Sequence, residues 1–181
     1  MTIKTAADVR NFWFSDDTRP HWFVKSDEFD RRIAREFGPT YEAAHKGELD
    51  DWAQSAKDVL ALVVVLDQFP RNMFRGDPRS FESNDLALKH ARMAVDRGFD
   101  DELDTVGRQF LYLPFEHSED LADQDRSVAL YQALGDESAL DYAHQHRDII
   151  ARFGRFPHRN RVLGREDTPE EAEFLKTHQG F

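Results

Sequence analysis

Apolar residues recur at helical spacing along almost the whole chain, and the polar residues between them carry helix start and stop signals. Thr5 can cap a first helix through Trp13, with Asp8 at its third position completing an approximate capping box. Ser26 can cap a second, in which Phe29, Ile33 and Phe37 recur every four residues until Gly38-Pro39 interrupts it. A short piece from Thr40 to Lys46 stops at Gly47. The segment from Asp50 or Asp51 to Asp67 reads two ways. Val63, Val64 and Val65 favour a strand, whereas the run leading into Leu60, Ala61 and Leu62 favours a helix. Its length decides for a central, nearly all-buried helix.

The same pattern continues beyond the loop from Arg71 to Asp77. Pro78 marks a helix start, with Phe81, Leu88, Ala91 and Val95 on its apolar face and Gly98 as its stop. Asp101 or Asp104 opens a helix carrying Phe110, Leu111 and Leu113, which Pro114 ends or kinks. Val128, Tyr131 and Leu134 line the next, up to Gly135, and Tyr142, Ile149 and Ile150 line another, up to Gly154. Thr168-Pro169-Glu170-Glu171 supplies a cap, a first-turn proline and a third-position glutamate for a last helix through about Thr177. No turn dipeptide joins two alternating runs, so no hairpin is expected. The pattern predicts an all-α fold, a compact array of antiparallel helical hairpins in one domain spanning residues 1–181. The 34-residue tetratricopeptide pattern is not legible in it.

Composition then limits the function classes. A formal net charge of -11 opposes general attraction to nucleic acid or anionic lipid. The chain has no cysteine, which removes disulfides, thiolate nucleophiles and Cys-ligated zinc, and which agrees with a cytoplasmic location. The longest apolar run, Val59 to Leu66, is far shorter than the roughly 20 residues of a membrane span, and no signal peptide is read at the start. A soluble cytoplasmic protein with no nucleic-acid or membrane partner is expected.

Two segments break the charge pattern. Ile149 to Arg165 contains no acidic residue but holds Arg152, Arg155, Arg159, Arg161 and Arg165, whereas Glu116 to Asp125 holds five carboxylates and no Lys or Arg. A repeated phrase lies within this asymmetry. Phe69-Pro70-Arg71-Asn72 with Arg75-Gly76 is echoed by Phe156-Pro157-His158-Arg159-Asn160 with Gly164-Arg165, too far apart for a simple repeat period. Proline fixes its own φ and pushes the residue before it toward an extended conformation. Each Phe is therefore expected to leave its helix abruptly and plug the core, turning the following Arg and Asn sideways.

These loops, together with Asn11-Phe12-Trp13-Phe14, Leu66-Asp67-Gln68 and Leu113-Pro114-Phe115-Glu116-His117-Ser118-Glu119, resemble the DUF924 family over nearly the whole chain. That family is a mainly bacterial set of proteins of unknown function, grouped with tetratricopeptide-like helical folds. The resemblance implies a TPR-like arrangement of helices and the position of the family's hallmark residues. It implies no activity, substrate or cofactor.

The candidate chemistry rests on the residues. Arg71, Arg75, Arg155, Arg159 and Arg165 could form a two-sided anion clamp, oriented by Asn72 and Asn160, with Asp67 and Glu119 in the ligand-binding set. Glu116, His117 and His158 could move protons. Ser118 lacks the glycine-flanked elbow of a nucleophile. Alternatively, the arginines pair with Asp67, Glu116 or Glu119 and bond the carbonyls at helix ends, Ser118 is an N-cap and His117 a structural donor. His144 and His146 point in different directions and cannot share an ion, so no metal site is expected, although Glu116, His117, His146 and His158 could meet across helices. Trp13, Trp22, Phe23 and Trp52 read as core. Two functions stay open: binding of, or hydrolytic chemistry on, a small anionic molecule, and a helical protein-interaction module whose motifs form a structural network.

Overall fold

The computed structural model describes residues 2–178 and Gly180, and all regular structure among them is helical. Thr5 caps α1 (Ala6–Trp13) through the expected reciprocal box with Asp8. Ser26 caps α2 (Asp27–His45). Gly38-Pro39 does not interrupt α2, which absorbs the segment from Thr40 as its last turns. A glycine before proline has no Cβ to meet the pyrrolidine ring, so the usual penalty on the preceding residue is relieved. Burial of Phe37, Thr40 and Tyr41 on both sides of Pro39 then holds the helix together.

The central segment is helical, as its length implied, but its start lies later. Asp50–Gln54 forms a 3₁₀ turn, and Ser55 caps α3 (Ala56–Val63) by accepting from the Asp58 N–H at 3.2 Å. The helix then widens into a π turn, Val64–Gln68, in which the Phe69 N–H reaches the Val64 carbonyl, and runs directly into α4 (Phe69–Met73). Phe69 is therefore helical and not extended. Pro70 carries no N–H for the carbonyl of Leu66, four residues earlier. The buried Ser83 hydroxyl fills that place, donating to the Leu66 carbonyl at 2.6 Å. Ser83→Ala is expected to cost about 1–3 kcal/mol by leaving that carbonyl unpaired, readable as a shift in the urea midpoint at unchanged slope.

Helix α5 (Asn84–Asp96) starts after a 3₁₀ turn at Pro78–Phe81, and α6 (Thr105–Glu116) continues through Pro114. Asp104 caps α6, accepting from the Gly107 N–H at 2.7 Å. Then follow α7 (Leu121–Leu134), α8 (Glu137–Phe153), α9 (Asn160–Leu163) and α10 (Pro169–Phe174). Left-handed Gly135 and Gly154 close α7 and α8, as their positions implied. The Thr168–Glu171 capping box opens α10, which ends short of Thr177.

Contacts along the chain group into two compact units, one of Met1–Arg75 with Arg79–Pro114 and one of Gly76–Pro78 with Phe115–Phe181. The first is centred on Trp13, Phe29, Ile33, Phe37, Phe69 and Phe110 around the apolar run Val59 to Leu66 of α3 and the π turn that follows it. Phe69 meets Phe12, Trp13 and Phe37 with ring centroids 4.9–6.3 Å away. In the second, Ile149, Ile150 and Phe156 form an apolar cluster with Phe153 and Phe174 packed against it. Two apolar expectations fail. Phe23 is 79% exposed, in a turn before α2, and Tyr142 is 52% exposed because it lies beside the buried face of α8 and not on it. Helix α7 instead buries Asp123, Gln124 and Ser127 with Tyr131, a mostly polar face that an apolar-periodicity argument cannot detect.

Candidate functional site

The two copies of the repeated phrase take different backbone forms. In the first unit, the π turn keeps Phe69-Pro70-Arg71-Asn72 helical. In the second, α8 ends at Phe153, and Phe156 is extended before a short 3₁₀ turn, Pro157–Arg159. Only the second copy leaves its helix as proline chemistry alone implied. Both phenylalanines are fully buried.

Around the first copy, the polar side chains find partners inside the first unit. Asp67, 1% exposed, accepts from the Gln68 amide at 2.6 Å and lies 3.3 Å from Arg71 Nη1. The same Arg71 nitrogen donates to the Asp67 carbonyl at 2.6 Å and to Asn84 Oδ1 at 3.1 Å. Burial pushes the Arg71 guanidinium below its ordinary pKa, and the Asp67 charge opposes that shift. Asn72 donates to Asp30 Oδ1 at 2.8 Å, and Arg75 forks onto both oxygens of Asp30 at 2.8 and 3.0 Å. Sequence reasoning missed Asp30, which lies on α2, more than forty residues from its partners.

Around the second copy, two further arginines are forked onto carboxylates. Arg165 meets both oxygens of Glu119 at 2.8 and 3.0 Å, and Glu119 also accepts from the Phe156 N–H at 2.8 Å. Burial works to raise the Glu119 pKa, but the Arg165 fork, the Phe156 amide and the charges of Arg159 and Arg165 together hold it below its ordinary value. Arg155 meets both oxygens of Glu171 at 2.7 Å, while Glu171 also caps α10 and reaches Asn160 at 3.4 Å. The Arg155 bonds hold Glu171 at about 2, against burial. Glu171 reads in the sequence only as a capping residue; its second task needed the fold. Asn160, fully buried, donates mainly to Asp167 at 2.8 Å. The forks of Arg75, Arg155 and Arg165 are thus met by the chain's own carboxylates.

Glu116, His117, His158 and Arg159 form a more deeply set polar centre in the second unit with His146, which the ligand and proton-transfer readings had not used. Glu116 and His146 are each 5% exposed, and His146 Nδ1 lies 2.8 Å from the Tyr142 carbonyl and 3.3 Å from Glu116 Oε1. The rings of His117 and His146 are 6.4 Å apart. Arg159, 6% exposed, donates to the His117 carbonyl at 3.0 Å, and its guanidinium sits 4.4 Å over the Phe156 ring. Burial lowers the His146 pKa to about 3, with the His117, Arg159 and His158 charges adding to it and the Tyr142 carbonyl opposing. Burial likewise lowers His158 to about 4, with Arg159, His178 and His117 adding and Glu119 opposing. Both imidazoles are therefore neutral near neutral pH, able to accept a proton but reluctant to keep it.

The connection between α6 and α7 holds this centre in place. Gln124, fully buried, donates to the carbonyls of Phe115, Glu116 and Ser118 at 3.4, 2.7 and 2.7 Å. Asp120, not Ser118, caps α7, while Ser118 donates to Asp123 at 2.7 Å. Among the described residues, no group of three or more His, Asp or Glu is arranged to hold a metal ion, so Glu116, His117, His146 and His158 do not assemble one. No described helix is long and apolar enough to cross a membrane.

No curated protein matches the chain. A solved structure of a protein of unknown function, ATU0120 from Agrobacterium tumefaciens, is 44% identical, with a TM-score of 0.91 over 96% of this chain and 97% of that one. The model of a family described as a bacterial protein of unknown function, DUF924, matches residues 9–179. With that match covering nearly all of its length, the chain belongs to the DUF924 family.

Proposed function

We propose that the second unit binds a small anionic molecule at the Glu116–His117–His158–Arg159 centre, with Arg159 as anchor and the histidines and Glu116 handling protons in a hydrolytic or related acid/base step. The observation that carries this reading is the pair of imidazoles, His146 and His158, held neutral beside a buried guanidinium. Burying a cation and a carboxylate costs stability, and strongly perturbed groups gather at functional sites. Glu119, from the connection between α6 and α7, holds the Arg159 segment through the Phe156 N–H and Arg165, and Asn160 ties it to Asp167, while Asp67, Arg71, Asn72 and Arg75 form a polar group in the first unit. The family match extends through both units, which supports reading residues 1–181 as one domain.

Arg159→Ala is expected to weaken binding of inorganic phosphate or a small carboxylate at least tenfold with helix content unchanged, measured by thermal shift and far-UV circular dichroism. Arg159→Lys keeps the charge but loses the planar fork, so partial binding should remain. Unfolding of both variants without any wild-type ligand response would sink this reading. It would favour a second one, suggested by the occupied forks of Arg75, Arg155 and Arg165: a TPR-like protein-interaction module whose arginines only fasten its own segments.

A further inference from the structure

The first unit carries a groove of about 300 Å³ that none of the repeated motifs enters. Glu28, Arg31, Arg32 and Arg35 line it from α2, at spacings that put all four on one stripe of the helix. Phe29 provides an apolar floor, and the His21 ring stacks on it at 4.8 Å and 19°. The stripe holds three guanidinium groups and one carboxylate, a local excess of two positive charges in a chain whose net charge is -11.

The three arginines differ in how far they are committed. Arg32 is fixed, with its Nε 3.1 Å from Glu36 and its guanidinium 4.8 Å over the Phe12 ring. Arg35 reaches the same carboxylate only at 3.5 Å and remains largely exposed. Arg31 forms no ion pair among the described residues and lies exposed at the rim. One guanidinium is thus already held in place beside two that can turn, all over an apolar floor.

We propose that this groove binds a small molecule through a phosphate-monoester group, with Arg31, Arg32 and Arg35 on the phosphate oxygens and the rest of the molecule along Phe29 and His21. Guanidinium forks suit tetrahedral oxyanions, and Arg31 has no carboxylate partner among the described residues to compete with one. A groove of this size can accommodate a small metabolite.

The proposal is independent of the reading for the second unit, and its test keeps the two apart. Inorganic phosphate is titrated at constant ionic strength while the His21 ring protons are followed by NMR in the wild type, Arg31→Ala/Arg35→Ala and Arg159→Ala. The expected result is a saturable His21 shift that weakens at least tenfold in the double variant and persists in Arg159→Ala. No saturable shift, or an equal one in the double variant, would overturn it. Malonate competing as well as phosphate would overturn the assignment to phosphate esters. Because Arg31 and Arg35 are exposed, the double variant should keep its fold.

Discussion

Phe156→Ala is expected to destabilise the second unit by about 3–5 kcal/mol, and Phe69→Ala to do the same to the first. Each ring is fully buried and each follows a helix into a proline. Removing Phe156 empties the space among Ile149, Ile150, Phe153 and Phe174, and it also takes away the ring face beneath Arg159. Removing Phe69 withdraws a ring shared by Phe12, Trp13 and Phe37. Phe156→Leu retains most of the volume and should recover a large part of the loss. All three tryptophans belong to the first unit, so fluorescence reports that unit while far-UV circular dichroism reports both. Coincident urea transitions by both probes would mark one cooperative domain. A loss below about 1 kcal/mol for Phe156→Ala would show that its ring is not the plug described here.

Acid should weaken the protein well above the range in which ordinary carboxylates titrate. His146 and His158 have folded pKa values of about 3 and 4 against an ordinary 6.5. Between those limits the unfolded chain binds protons that the folded chain refuses, so stability falls as pH drops below 6.5. At about pH 5, each imidazole should have removed about 2 kcal/mol. Glu171 acts in the same direction by the opposite chemistry. Its pKa is lowered from 4.5 to about 2, so its contribution is present above 4.5 and is lost as pH falls toward 2. His146→Gln/His158→Gln should flatten the stability curve between pH 6.5 and 4.5 and leave the Glu171 window in place. An unchanged slope in that variant, or His146 protonating near its ordinary value by NMR, would contradict the neutral-imidazole centre.

Much of the helical architecture was legible because helix signals are local. The Thr5–Asp8 and Thr168–Glu171 boxes, the caps at Ser26 and Asp104 and the stops at Gly135 and Gly154 depend on residues a few positions apart. The prolines misled wherever other parts of the chain compensated for them. Pro39 and Pro114 lie inside helices, and Pro70 is accommodated by a π turn and by Ser83, which comes from a different turn. Helix α7 escaped the apolar pattern because what it buries is polar.

Sequence alone determined that the chain is helical, that Phe69 and Phe156 are buried, and that arginines gather around Phe156 while carboxylates gather between Glu116 and Asp125. Those features follow from local periodicity, from proline and from composition. Tertiary structure decided which carboxylate each arginine meets: Asp30 for Arg75, Glu119 for Arg165 and Glu171 for Arg155. It also set the state of His146 and His158, because a pKa follows from burial and neighbouring charge, and both are fixed only when distant segments pack together.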